Sequence, residues 1–304
     1  MADTFPSNAD VTGQIAQLIV YPVKSCAGVE LQEAVLTPTG LDLDRAWMVV
    51  DETGEFVSQR ELPRMALIRP QLKTLEIVLR APGMLALHLD IAGVEAATRA
   101  RVWDDDVPAY DMGDVAAQWF TEFLLGATAQ GQVPTGWAGR RLRLVRFDPE
   151  FNRLSSARWT DGAAAYSQFA DGFAVLLASQ ASLDGLNQRL QHTGHGPVAM
   201  ARFRPNIVLS GLDDQDEDRI DTLHIDTPEG ATQLQPCKPC ARCPIPNIDP
   251  DTALSSPEVT DTLQTYRRNA VLDGAVTFGM NAFVRAGDGH TLRVGQTVCA
   301  NWRF

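Results

Sequence analysis

Short runs of β-branched and apolar residues, separated by turns that contain glycine or proline, constrain the fold of this chain most strongly. The runs at 46–50 and 56–58 flank an Asp-Glu-Thr-Gly turn, and those at 75–79 and 85–89 flank a Pro-Gly pair. Each pair predicts a β-hairpin. Further strands are predicted at 14–20, 142–147, 206–209, 223–225, 232–234, 275–278, 282–285 and 292–294.

Helical spacing of apolar residues occurs in three places. Residues 114–125 carry Trp119 and its apolar neighbours on one face, and residues 179–191 begin at Ser179, a good N-cap. A third helix is predicted within 257–269. Many strands with few helices predict an α+β, mostly β fold, in which β-barrel-like units carry a few helices.

Composition narrows the function classes. The chain has 304 residues, with 26 Lys and Arg against 38 Asp and Glu, so its net charge is −12. This balance argues against broad nucleic-acid binding, because a phosphate lattice requires a basic face. The longest apolar run, at 173–178, is far too short for a bilayer, so no membrane association is expected.

The first residues, Met1 to Asp10, are polar and acidic and lack the features of a secretory or mitochondrial leader. Residues 1–11 are therefore predicted to form a mobile tail, and the cytoplasm is the expected location. The cysteine count is odd, and three of the five are crowded together, which favours metal or redox chemistry over disulfides. The five are Cys26, Cys237, Cys240, Cys243 and Cys299.

The cysteine cluster reads Cys-Lys-Pro-Cys-Ala-Arg-Cys at 237–243, with prolines that predict a loop. Zinc would need a fourth ligand from Cys299 or His290, and an iron–sulfur cluster lacks its fourth cysteine. The third alternative is one thiolate bound to a metal that an organic cofactor carries. Three buried structural thiols are a fourth. Arg242 beside Cys243 would stabilise a thiolate or pair with an anion.

Other motifs are less specific. Asp249 and Asp251 either form an Asp-Pro-Asp turn or support the cysteine site. The acidic run 213–218 predicts a solvated loop, with docking to a basic electron-transfer partner as the alternative. The chain contains neither a P-loop nor a G-x-G-x-x-G segment after a strand, so neither ATP nor NAD(P)H binding is supported.

Four ordered segments resemble one family. Residues 240–252, Cys-Ala-Arg-Cys-Pro-Ile-Pro-Asn-Ile-Asp-Pro-Asp-Thr, resemble the cysteine loop of MOSC-domain proteins, the fold shared with the C-terminal part of molybdenum-cofactor sulfurase. The similarity is greatest to the YcbX-like and mitochondrial amidoxime-reducing branch. The other similar segments are 21–28 with 40–47, 170–173 with 179–187, and 203–211.

The resemblance implies an N-terminal MOSC β-barrel-like domain at 12–125 packed as one unit with a MOSC β-barrel domain at 126–304. It implies that the Cys243 thiolate binds molybdenum directly, with Cys237 and Cys240 as neighbours. It also implies a set of residues that hold the molybdenum cofactor (Mo-molybdopterin) and its phosphate: Lys24, Ser25, Arg45, Gly172, Phe173, Arg204, Asn206, Ala241, Arg242 and Asn281.

The implied activity is that of a molybdenum-dependent oxidoreductase that reduces small N-hydroxylated compounds, such as hydroxylated nucleobases, hydroxylamines or amidoximes. Electrons would come from a separate protein of ferredoxin, flavodoxin or reductase type, and Asp249 would donate a proton or orient the substrate. Pyridoxal phosphate binding is implied only for the family at large. One alternative is a non-catalytic cofactor or sulfur carrier with Cys243 as persulfide acceptor. Another is a zinc- or iron-binding interaction module.

Overall fold

The computed structural model describes residues 9–127 and 134–303. Most of the predicted tail, and residues 128–133, lie outside the described residues. The described α-helices are α1 (Gly113–Leu125), α2 (Gln180–His192) and α3 (Glu258–Gln264). The described strands are β1 (Val11–Val20), β2 (Val29–Leu31), β3 (Glu33–Thr37), β4 (Gly40–Leu41), β5 (Trp47–Asp51), β6 (Arg69–Leu72), β7 (Glu76–Arg80), β8 (Leu87–Asp90), β9 (Ala96–Val102), β10 (Asp105–Asp111), β11 (Leu142–Phe147), β12 (Val175–Ser179), β13 (Ile207–Ser210), β14 (Ile220–Thr227), β15 (Gly230–Ala241), β16 (Arg268–Asn269), β17 (Ala275–Ala286), β18 (Thr291–Arg293) and β19 (Thr297–Trp302).

Seven strands close into a barrel in the order β12-β13-β1-β19-β14-β15-β17, and β17 pairs back onto β12. The pairings are antiparallel except that of β12 with β13, which is parallel and is connected through α2. Alternate residues of these strands point inward and fill the interior, including Leu18, Leu177 and Leu234. The predicted mostly β fold is therefore confirmed.

Most of the remaining strands form smaller sheets in the N-terminal half, while β2 and β16 pair with the barrel strands β1 and β17. One sheet has the order β5-β11-β10-β9 and another the order β6-β7-β8. Helix α1 covers them with its apolar face, where Phe120 and Phe123 pack in a core with Trp47 and Ile77. The predicted helices at 114–125 and 179–191 and the hairpin at 75–89 are confirmed within a few residues.

The barrel draws on both ends of the sequence. Strand β1 lies between β13 and β19, and β18 pairs with β3. The first strand thus completes a sheet that C-terminal strands otherwise build, and this pairing holds the two halves together. The domain boundary at 125/126 stays a prediction. None of the described helices is long and apolar enough to cross a bilayer.

One strand pair was predicted wrongly. The strands expected at 275–278 and 282–285 are a single strand, β17. Gly279 lies within it at φ +75°, where an added Cβ would stand 2.5 Å from the Leu177 carbonyl oxygen. Glycine therefore lets the strand deform and approach β12 closely without ending, whereas in the sequence it resembles a break.

The acidic run 213–218 is only in part the solvated loop that its charge predicts, because Asp213 and Asp214 are exposed but the next two acidic residues are not. Glu217 is 1% exposed and Asp216 is also buried. The Glu217 carboxylate accepts hydrogen bonds from the Ser179 and Ser182 hydroxyls, each at 2.8 Å, at the start of α2. Burial raises the pKa of Glu217, while these hydroxyls oppose the shift. The serine donors explain why a carboxyl group is tolerated there.

Candidate functional site

A cavity of about 410 Å³ opens where the cysteine-bearing end of β15 meets loops of the N-terminal half. Eleven of the twelve predicted site residues line it: Lys24, Ser25, Arg45, Gly172, Phe173, Arg204, Asn206, Ala241, Arg242, Cys243 and Asn281. These residues come from distant parts of the sequence. The barrel and the loops around it bring them to one place.

The cysteine cluster is not wholly in a loop, contrary to the prediction. Cys237 and Cys240 lie on β15, which ends at Ala241, and Cys243 follows directly. Residues of a strand alternate between its faces, so Cys237 packs with Phe173 and Phe283 while Cys240 lines the cavity. Pro236 and Pro239 lie beside bulges of the β15–β17 pairing, where the ladder is irregular and a missing N–H costs little.

The three thiols do not form a metal site of their own. Within 9–127 and 134–303, no group of three or more His, Cys, Asp or Glu residues could hold an ion. Burial raises the pKa of Cys237 to about 12, which disfavours the thiolate that a metal requires. Cys26 and Cys299 are likewise buried in the core. Cys240 and Cys243 are both partly exposed and line the cavity, and the Arg242 Nη1 donates to the Cys240 sulfur at 3.0 Å.

The charge of the cavity is opposite to that of the whole chain. Among the described lining residues, one side chain is a carboxylate, Asp171, against six cations. Such a concentration of cations in an acidic protein is typical of an anion-binding site. The cations are Lys24, Arg45, Arg60, Arg204, Lys238 and Arg242.

Tyr21 supports two of these cations. The guanidinium carbons of Arg45 and Arg204 lie 4.4 and 4.2 Å from the centroid of its ring. Arg45 also donates to Asp44 at 2.5 Å and to the Asn206 side-chain oxygen at 3.0 Å. Both guanidiniums are therefore held in place before any ligand binds.

Arg204 retains an unused donor. Its Nη1 donates to the Cys26 carbonyl oxygen at 2.6 Å, but its Nη2 is buried and has no hydrogen-bond partner among the described residues. Burial lowers the pKa of Arg204 to about 10. The Arg242 Nε is also buried without a hydrogen-bond partner among the described residues. Buried donors are nearly always satisfied, so these atoms indicate an anionic ligand, and a phosphate-bearing cofactor fits them.

Four residues of the cavity adopt a strained backbone. Ser25, Arg45, Trp103 and Arg204 have φ values of +66°, +49°, +57° and +58°. Residues with side chains rarely adopt this left-handed region, and such residues concentrate at functional sites. The strain directs the two guanidiniums to the Tyr21 ring, and it was not visible in the sequence.

Lys24 is buried against the cavity wall. Its Nζ donates to the Phe169 carbonyl oxygen at 2.7 Å and to Asp171 at 2.5 Å. Burial lowers the pKa of Lys24, and the charge of Asp171 opposes the shift. The Trp103 indole donates to the same carboxylate oxygen at 3.1 Å. Asp171 thus links Lys24 to an aromatic residue at the mouth of the cavity.

The uncharged predicted residues have different roles in the wall. Asn206 accepts from Arg45 and from the Leu176 amide and donates to Ile19, so it positions Arg45 and the strand. At Gly172 an added Cβ would meet nothing within 4 Å. Phe173 closes the floor of the cavity from the core behind it.

The position of Asp249 differs from that of the other predicted site residues. It does not line the cavity with the other eleven residues; it accepts from the backbone amides of Asp251 and Thr252 and pairs with Arg202 at 3.0 Å. Burial works against the charge, but these hydrogen bonds hold the pKa of Asp249 below its usual range. A carboxylate so stabilised is a poor proton donor. The Asp-Pro-Asp turn alternative describes this residue.

Several lining residues escaped the sequence analysis. Lys238, Cys240 and Arg242 are spaced two residues apart, so an extended strand would place their side chains on one face. The prediction of a loop hid this pattern. Phe56, Arg60 and Trp103 come from the N-terminal half and carry no readable motif. Their place in the site depends on how the hairpins pack.

The fold and the cavity define a β-barrel protein with a cationic cavity that cysteine residues help to line. Family models identify its domains: residues 12–127 match the MOSC N-terminal beta barrel domain and residues 165–299 the MOSC domain.

Comparison with three curated relatives narrows the group within the family to which the chain belongs. It is 33% identical over 267 residues to mitochondrial amidoxime reducing component 2 of Rattus norvegicus, and 34% identical over 265 residues to mitochondrial amidoxime-reducing component 1 of Homo sapiens. Each match covers 84% of this chain and 72% of the relative. Molybdenum cofactor sulfurase of Danio rerio is 29% identical over 88% of this chain and 31% of its own length. The chain belongs to the MOSC-domain family, in the group that includes the amidoxime-reducing components.

Proposed function

We propose that this protein is a molybdenum-cofactor-dependent reductase of N-hydroxylated compounds. The observation that carries the proposal is the cavity, in which the Cys243 thiol lies among six cations and a buried Arg204 Nη2 lacks a partner among the described residues. The names of the relatives, an amidoxime-reducing component and a molybdenum cofactor sulfurase, support it.

The donor set suits that cofactor. Arg45 and Arg204 would pair with its phosphate, and Arg242 and the buried Lys24 would neutralise further negative charge. A thiolate at Cys243 is the soft ligand that molybdenum accepts. When bound, the cofactor supplies two-electron transfer to the N–OH group.

The reaction needs an external electron source. The N–OH bond is cleaved with two electrons and two protons, which leaves an N–H group and releases water. A separate protein of ferredoxin, flavodoxin or reductase type would supply the electrons. The polypeptide would position the cofactor and supply the positive charge that holds it. Asn206 and Tyr21 fix the two arginines, and Phe173 closes the floor of the cavity.

Turnover tests the proposal. Protein produced in cells that make the molybdenum cofactor should reduce benzamidoxime to benzamidine with dithionite-reduced viologen as donor. Cys243→Ala should abolish turnover, and Cys240→Ala, a neighbour that also lines the cavity, should retain it. Molybdenum-replete protein whose turnover never exceeds that of Cys243→Ala would instead be a cofactor or sulfur carrier.

A further inference from the structure

A second cavity, of about 650 Å³, lies against the first. Phe56, Arg60 and Trp103 line both cavities and form the wall between them. A ligand that leaves the inner cavity across this wall therefore enters the outer cavity directly. Trp137 and Arg140 line the outer cavity alone, and the Arg140 guanidinium lies 4.5 Å from the Trp137 ring.

The shared wall is built rigidly. The rings of Phe56 and Trp103 are 5.1 Å apart, and Arg60 lies 4.7 Å from the Trp103 ring. The Trp103 indole is held by Asp171 at 3.1 Å, yet 44% of the residue is exposed. Trp103 adopts φ +57° in the turn between β9 and β10. A large aromatic residue is strained there and unburied, which indicates a role in binding rather than in the core.

The outer cavity has the opposite charge to the inner one. Four carboxylates line it, against the guanidiniums of Arg60 and Arg140. The guanidinium of Arg140 is already hydrogen-bonded to Asp51 and lies within 3.4 Å of Glu52. The field of the outer cavity therefore favours a cation. The four carboxylates are Asp51, Glu55, Glu61 and Asp104.

We propose that the outer cavity is the substrate and product vestibule, and that it selects aromatic amidoximes whose reduced form is a cation. The inference rests on the proposed function. The reaction is R–C(=NOH)NH2 + 2e− + 3H+ → R–C(NH2)2+ + H2O, with the electrons from the separate electron-transfer protein. The N–O bond breaks, its oxygen leaves as water, and the strongly basic amidine takes up the third proton.

The charge of the outer cavity then gives product release a direction. A neutral amidoxime carries no net charge for its carboxylates to attract, whereas the amidinium that forms by reduction does. The carboxylates of the outer cavity attract it past Trp103. The Trp103 and Phe56 rings contact a flat aromatic substituent, so they are specificity-determining residues.

Binding to the cofactor-free protein tests the vestibule without turnover. Isothermal titration should detect benzamidine and, more weakly, the neutral benzamide. The double substitution Glu55→Gln and Asp104→Asn should weaken benzamidine binding about tenfold and leave benzamide within about twofold. Asp226→Asn, at an exposed position on β14, is the matched charge control and should change neither.

The wall itself is tested with two substitutions. Trp103→Ala should weaken both probes, and in the loaded enzyme it should raise KM for benzamidoxime more than for acetamidoxime. Trp103→Phe should preserve both, which controls for misfolding. Benzamidine affinity that is equal in wild type and in the Glu55/Asp104 variant overturns the proposal, as does the absence of benzamidine binding.

The vestibule and the proposed function fail separately. Cys243→Ala should lose turnover and keep benzamidine affinity. Normal turnover, together with a benzamidine affinity that substitutions of Glu55, Asp104 and Trp103 leave unchanged, would overturn the vestibule alone. An inactive protein with charge-selective benzamidine binding would overturn the reductase, and with it the role as a product vestibule, and would leave an amidinium-binding cavity.

Discussion

The guanidinium carbon of Arg204 lies 4.2 Å from the ring centroid of Tyr21. Tyr21 follows the first barrel strand, and its amide donates to Asp44 at 2.8 Å. Strand β13, which follows Arg204 closely, pairs with β1, so barrel closure sets this contact. The geometry of the anion site is thus a consequence of the fold.

Arg204→Ala should weaken pyrophosphate binding to the cofactor-free protein about tenfold, because it removes a buried charged donor with an unused N–H. Isothermal titration measures the change. Arg69→Ala is the matched control, since the Arg69 side chain is 62% exposed and pairs with Asp251. An equal effect of both substitutions would mean that the affinity for pyrophosphate depends only on the net charge of the protein.

Tyr21→Leu should weaken the same binding about fivefold, because two guanidiniums lose the aromatic face that supports them. Tyr21→Phe should leave the affinity within about twofold, because the Tyr21 hydroxyl has no hydrogen-bond partner within the described part of the chain. If Tyr21→Phe behaves like Tyr21→Leu, the hydroxyl and not the ring carries the effect.

Glu217→Gln should change how stability depends on pH. Burial raises the pKa of Glu217, so the folded state holds this proton more tightly than the unfolded chain does. The stabilisation is complete below the ordinary glutamate pKa of about 4.3 and is lost as the pH rises through the raised value. The free energy of unfolding of Glu217→Gln relative to wild type should therefore increase from pH 4 to pH 7 in urea titrations.

The exposed Glu150→Gln provides the control for that measurement and should show no such trend. A Glu217→Gln difference that stays constant over the same pH range would show that folding leaves the pKa of this carboxyl unshifted.

Asp249→Asn should affect stability and not chemistry. The carboxylate accepts two turn amides and pairs with Arg202, so its loss should cost about 1 kcal/mol at pH 7, a small figure because the side chain is 35% exposed. The lowered pKa of Asp249 makes this contribution present above the unfolded value of about 3.9 and lost as the pH falls.

Urea titration at pH 7 measures the cost of Asp249→Asn, with the exposed Asp251→Asn as control. Benzamidoxime turnover should stay within about twofold of wild type. A loss of turnover at full stability would restore Asp249 to the chemistry.

Some parts of the fold and of the candidate site could be predicted from the sequence, and others could not. Five of the seven barrel strands follow from local apolar patterns, whereas β12 and β19 were not predicted. Ten of the eleven cavity residues lie in the ordered motifs that resemble one family, and Asn281 lies outside them. The burial of Glu217 depends on hydroxyls of α2, and the place of Trp103 depends on the packing of a hairpin. Such contacts join distant segments, so no local pattern reports them.

The cysteine cluster was likewise predictable in its spacing but not in its three-dimensional arrangement. The spacing of Cys237, Cys240 and Cys243 allowed one shared metal, and only strand β15 shows that Cys237 packs in the core while Cys240 faces the cavity. A proline-rich segment resembles a loop, but bulges admit prolines into a strand.

Metal content tests the central claim most directly. Protein made in cells that build the molybdenum cofactor should contain near-stoichiometric molybdenum by elemental analysis, as should Cys240→Ala and Cys237→Ala, whereas Cys243→Ala should retain little. Zinc or iron in its place, released by mutation of any of the three cysteines, would contradict the account, as would full molybdenum retention in Cys243→Ala.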